Sequence, residues 1–144
     1  MDLKAFKEHF NRTDAFSVYN GIRLVSFEKG FAVAEMDVEA QSKNLMGMMH
    51  GGAYYSLADV AAGSAMIPYG RVCVTLSADI HYLRPVSGGK VTAEARVVQY
   101  GGRIGVARVE IKDIAEEILC VCTVTMYLTS KPIEDVFPGS ENNG

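Results

Sequence analysis

The residue types that could do chemistry gather in one stretch, "HGGAYYSLADVAAGSAM", from His50 to Met66. Gly51 and Gly52 stand where a helix begins. The first amides of a helix have no partner within it and carry the positive end of its dipole. Two residues without side chains leave those amides open to a ligand oxygen. They equally permit a turn or close packing. Asp59 stands alone in the apolar run that follows. Its helical neighbours Tyr55, Ser56, Ala62 and Gly63 include no cation, and a carboxylate buried without partners is costly. Two readings follow. Either Asp59 reaches solvent or hydrogen-bonds Ser56, or it occupies a site that needs a base or nucleophile.

His50 and Asp59 are nine positions apart. On a straight helix, at ~100° and ~1.5 Å per residue, they lie on opposite faces and ~13 Å apart along the axis. They cannot share a site within one helix. Either they act separately, or the Asp59 of one subunit meets the His50–Gly51 end of another. Two helices packed antiparallel about a two-fold axis would bring them together twice.

The flanking sequence supplies the elements that hold this helix. "MDLKAFKEHF" reads as a short amphipathic helix with Leu3, Phe6 and Phe10 on one side. "GIRLVSFEKG" and "FAVAEMDV" alternate as two strands joined by a hairpin at "EKGF", and "EAQSKNLMGMM" is the loop into the helix. Period two along "RVCVTLSADIHYL" places Val72, Val74, Leu76, Ala78, Ile80 and Tyr82 on one face. "KVTAEARVVQY", "RIGVARVEIKD" and "EEILCVCTVTMYL" follow as strands, with Gly101-Gly102 predicted to supply positive φ to a tight turn. Consecutive hairpins favour an antiparallel sheet. A helix that is apolar all round must be buried, so the sheet is expected to curve around it. The expected class is α+β, with one domain over residues 1–130 that includes the short N-terminal helix, and a polar, frayed C-terminal tail over 131–144.

Composition narrows the function. A chain of 144 residues with 49% hydrophobic and 22% charged residues fits one ordinary globular domain. A net charge of −3 without a basic run argues against a nucleic-acid or anionic-membrane surface. No signal peptide or membrane span is read from the sequence. Cys73, Cys120 and Cys122 are odd in number, which argues against a disulfide framework and points to a reducing cytoplasm. Cys120 and Cys122 share a strand face and read as packing residues, and no metal-ligand spacing is present.

At this point "NLMGMMHGGAYYSLAD", Asn44 to Asp59, resembles the N-x-x-G-x-x-H-G-G-x4-L-A-D signature of hotdog-fold acyl-CoA thioesterases. It is nearest the phenylacetate-degradation type, related to the 4-hydroxybenzoyl-CoA thioesterase with the HGG motif. The later "VTLSADIHYLRPVSGGKVTAEARVVQYGGR" is similar to the family's strand ending in Y-L-R-P and its G-R turn. The resemblance implies a long helix wrapped by a curved antiparallel sheet. It implies dimers joined sheet edge to sheet edge, often paired again into tetramers, with sites at subunit interfaces. It implies hydrolysis of an acyl-CoA to a carboxylate and coenzyme A, without a cofactor or metal. Asp59 then corresponds to the catalytic nucleophile or general base. Gly51 corresponds to the residue whose N–H polarises the thioester carbonyl, and Asn44 to the asparagine that orients water or that carbonyl. His50 corresponds to the motif histidine that places the thioester. Thr75 corresponds to a serine or threonine near the carboxylate, although alternation turns it away from the face of Val74 and Leu76.

Further candidates have two readings each. Gly52 would leave room for substrate beside the helix amides. Met46, with Met48 and Met49, would line an acyl pocket or fill the core. Tyr54 and Tyr55 read as packing residues. Arg84 and Arg103 would hold a coenzyme A phosphate or lie solvated on the surface. Two other functions fit the same architecture: a non-catalytic acyl-CoA-binding module, and an acyl-thioester hydratase or dehydratase. Against the first, about twenty residues precede the first strand, too few for a helix-turn-helix domain. Against the second, no His-Asp pattern of that kind is present.

Overall fold

A computed structural model describes residues 1–137 of the chain. Two short helices, α1 (Leu3–Thr13) and α2 (Ala15–Tyr19), precede the hairpin of β1 (Arg23–Glu28) and β2 (Phe31–Val38). The long helix α3 (Gly51–Met66) follows, then β3 (Arg71–Tyr82), β4 (Gly89–Tyr100), β5 (Ile104–Lys112) and β6 (Ile118–Pro132). All six strands form one antiparallel sheet in the order β1-β2-β4-β5-β6-β3. The sheet wraps the one long helix, as the sequence pattern requires. Among the described residues, no helix is long and apolar enough to cross a membrane.

Alanine sets how closely helix and sheet approach. Ala58, Ala61, Ala62 and Ala65 of α3 are buried, as are Ala32, Ala34, Ala93, Ala95 and Ala107 of the sheet. Small side chains on both surfaces let the helix sit deep in the curve, where close packing makes many weak dispersion contacts. Gly105 serves the same end: a Cβ there would lie 2.7 Å from the Met66 sulfur. Not all of α3 is covered, however. Tyr55 and Gly52 are exposed, and Ser56, Asp59, Val60 and Gly63 are half-buried. This stripe at helical spacing is left partly open beside β3, to which Tyr55 and Asp59 bond, so the expectation of a helix enclosed on every side is corrected.

The turns differ in mechanism. Gly30 closes the β1–β2 hairpin with φ +85°, and its N–H bonds the Ala65 carbonyl at 3.0 Å, tying that turn to α3. Gly101 and Gly102 do not adopt positive φ. The β4–β5 turn is instead held from outside. Arg71 donates to the carbonyls of Gly102 at 2.6 Å and Gly101 at 3.0 Å, beside the stacked rings of Tyr69 and Tyr100.

Strand β3 departs most from its sequence reading. It pairs Thr75 with Met126 but Ser77 with Thr125, so Leu76 is an extra residue, a β-bulge. The bulge inverts the alternation. Cys73 packs on the core before it, and Ala78 and Ile80 pack there after it. Val74 and Leu76 are 51% and 56% exposed, so the predicted common face of Val72, Val74, Leu76, Ala78, Ile80 and Tyr82 does not exist. β3 also ends the sheet, with no strand on its outer side among the described residues.

The segment read as a polar tail begins inside structure. Lys131 and Pro132 belong to β6, and Ile133 and Phe137 are buried against Phe6 of α1. Phe6 meets Phe27 at a tilt and Phe137 edge-on, at centroid distances of 5.5 and 5.2 Å. Residues 138–144 lie outside the described part.

Candidate active site

The start of α3 is built from backbone. His50 is its N-cap, in extended conformation, and its Nδ1 accepts from the Gly52 N–H at 2.8 Å. A Cβ on residue 52 would stand 3.1 Å from that nitrogen, so glycine gives the cap its room. The Gly52 amide is therefore occupied and not bare. The Gly51 amide is the one left over: no acceptor among the described residues bonds it. The Tyr82 hydroxyl donates to the Gly51 carbonyl at 2.9 Å and holds this first turn against the end of β3.

The preceding loop presents Asn44 to the same place. Asn44 Oδ1 accepts from the Met46 and Met48 amides at 2.9 and 3.1 Å, and its own N–H donates to the Met48 carbonyl at 2.7 Å. The carboxamide oxygen is thus committed to the loop, and Nδ2 has no bonded partner among the described residues. Met49 is buried and pins the loop to the core, while Met46 is 79% exposed at its tip. Asn44, Met46, Gly51, Tyr54, Tyr82 and Arg84 line a cavity of about 340 Å³. Tyr54 donates to the Arg84 carbonyl at 3.3 Å, and the Arg84 guanidinium pairs with Glu117 at 3.4 Å.

Asp59 lies elsewhere. The Thr75 hydroxyl donates to its Oδ1 at 2.5 Å. The bulge at Leu76 lets Thr75 stand on the helix side while the later even-numbered residues also face inward. Ser56 does not bond Asp59; its hydroxyl donates to the Gly52 carbonyl at 2.8 Å. Nor is Asp59 buried: it is half-exposed, opening on a second cavity of about 610 Å³. The thiols around it stay protonated. Burial, with the Asp59 charge adding, pushes the Cys73 thiol up. Burial, then Cys120 and Asp59, pushes Cys122 up to about 12.

The predicted residues therefore divide within one chain. Asn44, Met46, Gly51 and Arg84 share one cavity, and Asp59 and Thr75 share another. His50 and Gly52 line a third of about 340 Å³, which shares Ser56 and Phe16 with the Asp59 cavity. Arg103 joins none of these three. Its carbonyl accepts from the Leu128 amide, whereas the Arg84 amide donates to the Leu119 carbonyl. Nine residues of β6 separate those two levels, about 30 Å of strand. One protomer cannot bring both arginines to one ligand end. Among the described residues, no group of three or more His, Cys, Asp or Glu is placed to hold a metal ion.

Sequence reading missed several residues at these cavities. Tyr82 braces Gly51, but nothing near it in sequence marks that contact. Phe10, Asp14, Phe16 and Ser17 from the N-terminal helices line the Asp59 cavity. The D-x-x-S spacing of Asp14 and Ser17 was the available signal: the Ser17 hydroxyl donates to Asp14 Oδ2 at 2.5 Å.

Comparison with known proteins points one way. The sequence pattern of the thioesterase superfamily matches residues 46–120. The chain is 39% identical to the acyl-coenzyme A thioesterase PaaI of Escherichia coli over 99 residues, 68% of this chain and 71% of that one. The structure of the E. coli PaaI protein aligns with a TM-score of 0.82 at 32% identity, covering 90% of this chain and 96% of the other. A Streptococcus mutans protein bound to acetyl-CoA aligns with a TM-score of 0.73 at 32% identity, covering 76% and 90%.

Proposed function

The chain belongs to the thioesterase superfamily and has its hotdog fold, and we propose that it hydrolyses an acyl-CoA to a carboxylate and free coenzyme A at the junction of two subunits. The observation that carries this is the Thr75–Asp59 pair facing a cavity on one part of α3, with an unbonded Gly51 amide on another. The acetyl-CoA held by the S. mutans relative supports a coenzyme A thioester as the ligand.

In this reading the unpaired outer edge of β3 meets the same edge of a second copy, and the Asp59 of each copy faces the Gly51 end of the other. The Gly51 N–H, at the positive end of the helix, donates to the thioester carbonyl oxygen as it gains negative charge. Asn44 Nδ2 orients water or that oxygen. His50 holds the first turn rigid through Gly52 and places the thioester. Thr75 aims the Asp59 carboxylate. As general base, Asp59 takes a proton from water while the water oxygen attacks the carbonyl carbon. The tetrahedral intermediate collapses, the C–S bond breaks, and the sulfur leaves with a proton as the free thiol of coenzyme A. As nucleophile, Asp59 attacks the same carbon and displaces the thiolate. Water then opens the anhydride. Neither route uses a cofactor or a metal. Met46 and Gly52 border the acyl and pantetheine path. Arg84 of one subunit and Arg103 of a neighbour take phosphates of the nucleotide end, each from its own end of the sheet. The dimer is obligatory for the site and pairs again as a dimer of dimers. The domain spans residues 1–130, and the free thiols suit a cytoplasmic enzyme.

Mixed dimers test the shared site. A subunit carrying Asp59→Asn and one carrying Gly51→Val are each inactive alone. Combined, they restore one intact site per mixed dimer, about half the wild-type rate for that species. Absence of any recovery in a verified mixed dimer would place all groups in one subunit and reject the reading.

A further inference from the structure

The cavity beside Asp59 has a second carboxylate. One wall comes from α3, β3 and β6 and holds Asp59, Thr75 and Cys73. The other comes from α1 and α2 and holds Asp14 and Ser17. Ser17 is wholly buried, and its hydroxyl fixes Asp14 against the wall. Between the two carboxylates the lining is mainly apolar, with Phe10, Phe16, Val60 and Ile67 among it, and it includes no lysine, arginine or histidine. The volume of about 610 Å³ falls within the ~300–1,000 Å³ of small-molecule clefts.

We propose that Asp14, positioned by Ser17, makes this cavity an acyl pocket that selects by charge: it takes uncharged acyl groups and rejects those ending in a carboxylate. The proposal rests on the hydrolase reading above. A dicarboxylic acyl chain would bring a third negative charge into a cavity whose lining holds no cation and is mainly apolar. Repulsion in such surroundings is much stronger than in bulk solvent, and a repulsive element is an effective way to exclude a near-isosteric competitor. Asp59 alone would repel such a chain only at the thioester end. Asp14 extends the repulsion to the wall that faces it.

Hexanoyl-CoA and adipoyl-CoA test this, since they share chain length and differ by a terminal carboxylate. The wild type is expected to favour hexanoyl-CoA by at least tenfold in kcat/KM. Asp14→Asn keeps an acceptor for Ser17 but removes the charge, and should lower that ratio at least threefold. Asp14→Lys should lower it further. Glu134→Gln, an exposed charge outside the cavity, should leave the ratio as it is. The S-hexyl and S-(5-carboxypentyl) thioethers of coenzyme A, which cannot be hydrolysed, should bind in the same order by calorimetry. A wild type that takes both thioesters equally, or an Asp14→Asn ratio equal to wild type, overturns the proposal. If neither thioester is cleaved, the hydrolase reading fails, and thioether binding still decides whether the pocket selects by charge.

Discussion

The two candidate regions of α3 are made from different materials. Its start is backbone: a histidine cap, two glycines and a free amide, braced by the Tyr82 hydroxyl. Its middle is side chain: one carboxylate aimed by one hydroxyl, which stands on β3 just before the extra residue. The first is robust to chemistry but intolerant of volume. The second is tolerant of volume but fails on the loss of a single atom. Substitutions should separate the two regions: the first is damaged by added volume or a lost cap, the second by the loss of one polar atom.

The largest effect is expected at Asp59. Asp59→Asn should lower kcat by ~10²–10⁴-fold, the range of a lost general base, with the oligomeric state by light scattering the same as that of the unsubstituted chain. Thr75→Val removes only the hydroxyl. Misplacing a catalytic group by about 1 Å can cost ~10²-fold in rate, so kcat should fall by up to that much. Because Thr75 is exposed, the loss in Tm should be small beside the loss in kcat.

His50→Ala probes the other region through stability. It removes the acceptor of the Gly52 N–H, and losing a helix cap costs about 1 kcal/mol, read as a fall in Tm. An unchanged Tm would show that the cap does not hold the helix start. The smallest effect is alkaline. Burial pushes Cys120 up to about 11 and Cys122 up to about 12, so the folded state keeps both thiols protonated. Their contribution is complete below the unfolded thiol range near ~8.5 and is lost as pH rises through the folded values. Tm should therefore fall between about pH 9 and 12, and less steeply in Cys122→Val.

What could be read from sequence follows the range of the forces involved. The helix, the strands and the antiparallel order come from local periodicity and turn chemistry. The separation of His50 from Asp59 comes from helix geometry alone. Asp59 as the residue of interest rests on its isolation among small apolar neighbours. The bulge at Leu76 was not legible, because the extra residue is defined by what β6 places opposite it, not by anything in "VTLSA" itself. The Gly101-Gly102 turn failed for a similar reason: Arg71, thirty positions away, holds its carbonyls. The α1–α2 wall of the Asp59 cavity and the buried Ile133 and Phe137 meet only after the whole chain has folded.

The alanine layer beneath α3 acts as a ruler. Ala58, Ala61, Ala62 and Ala65 against sheet alanines leave the helix no slack to slide or rise. Gly51 and Asp59 are eight residues apart, so their axial spacing is fixed at about 12 Å. If each contributes to a different catalytic centre, the spacing between the two centres is set inside the monomer before any partner arrives. A partner subunit then needs only to arrive in register, since the molecule carries its own gauge for where the second centre must lie.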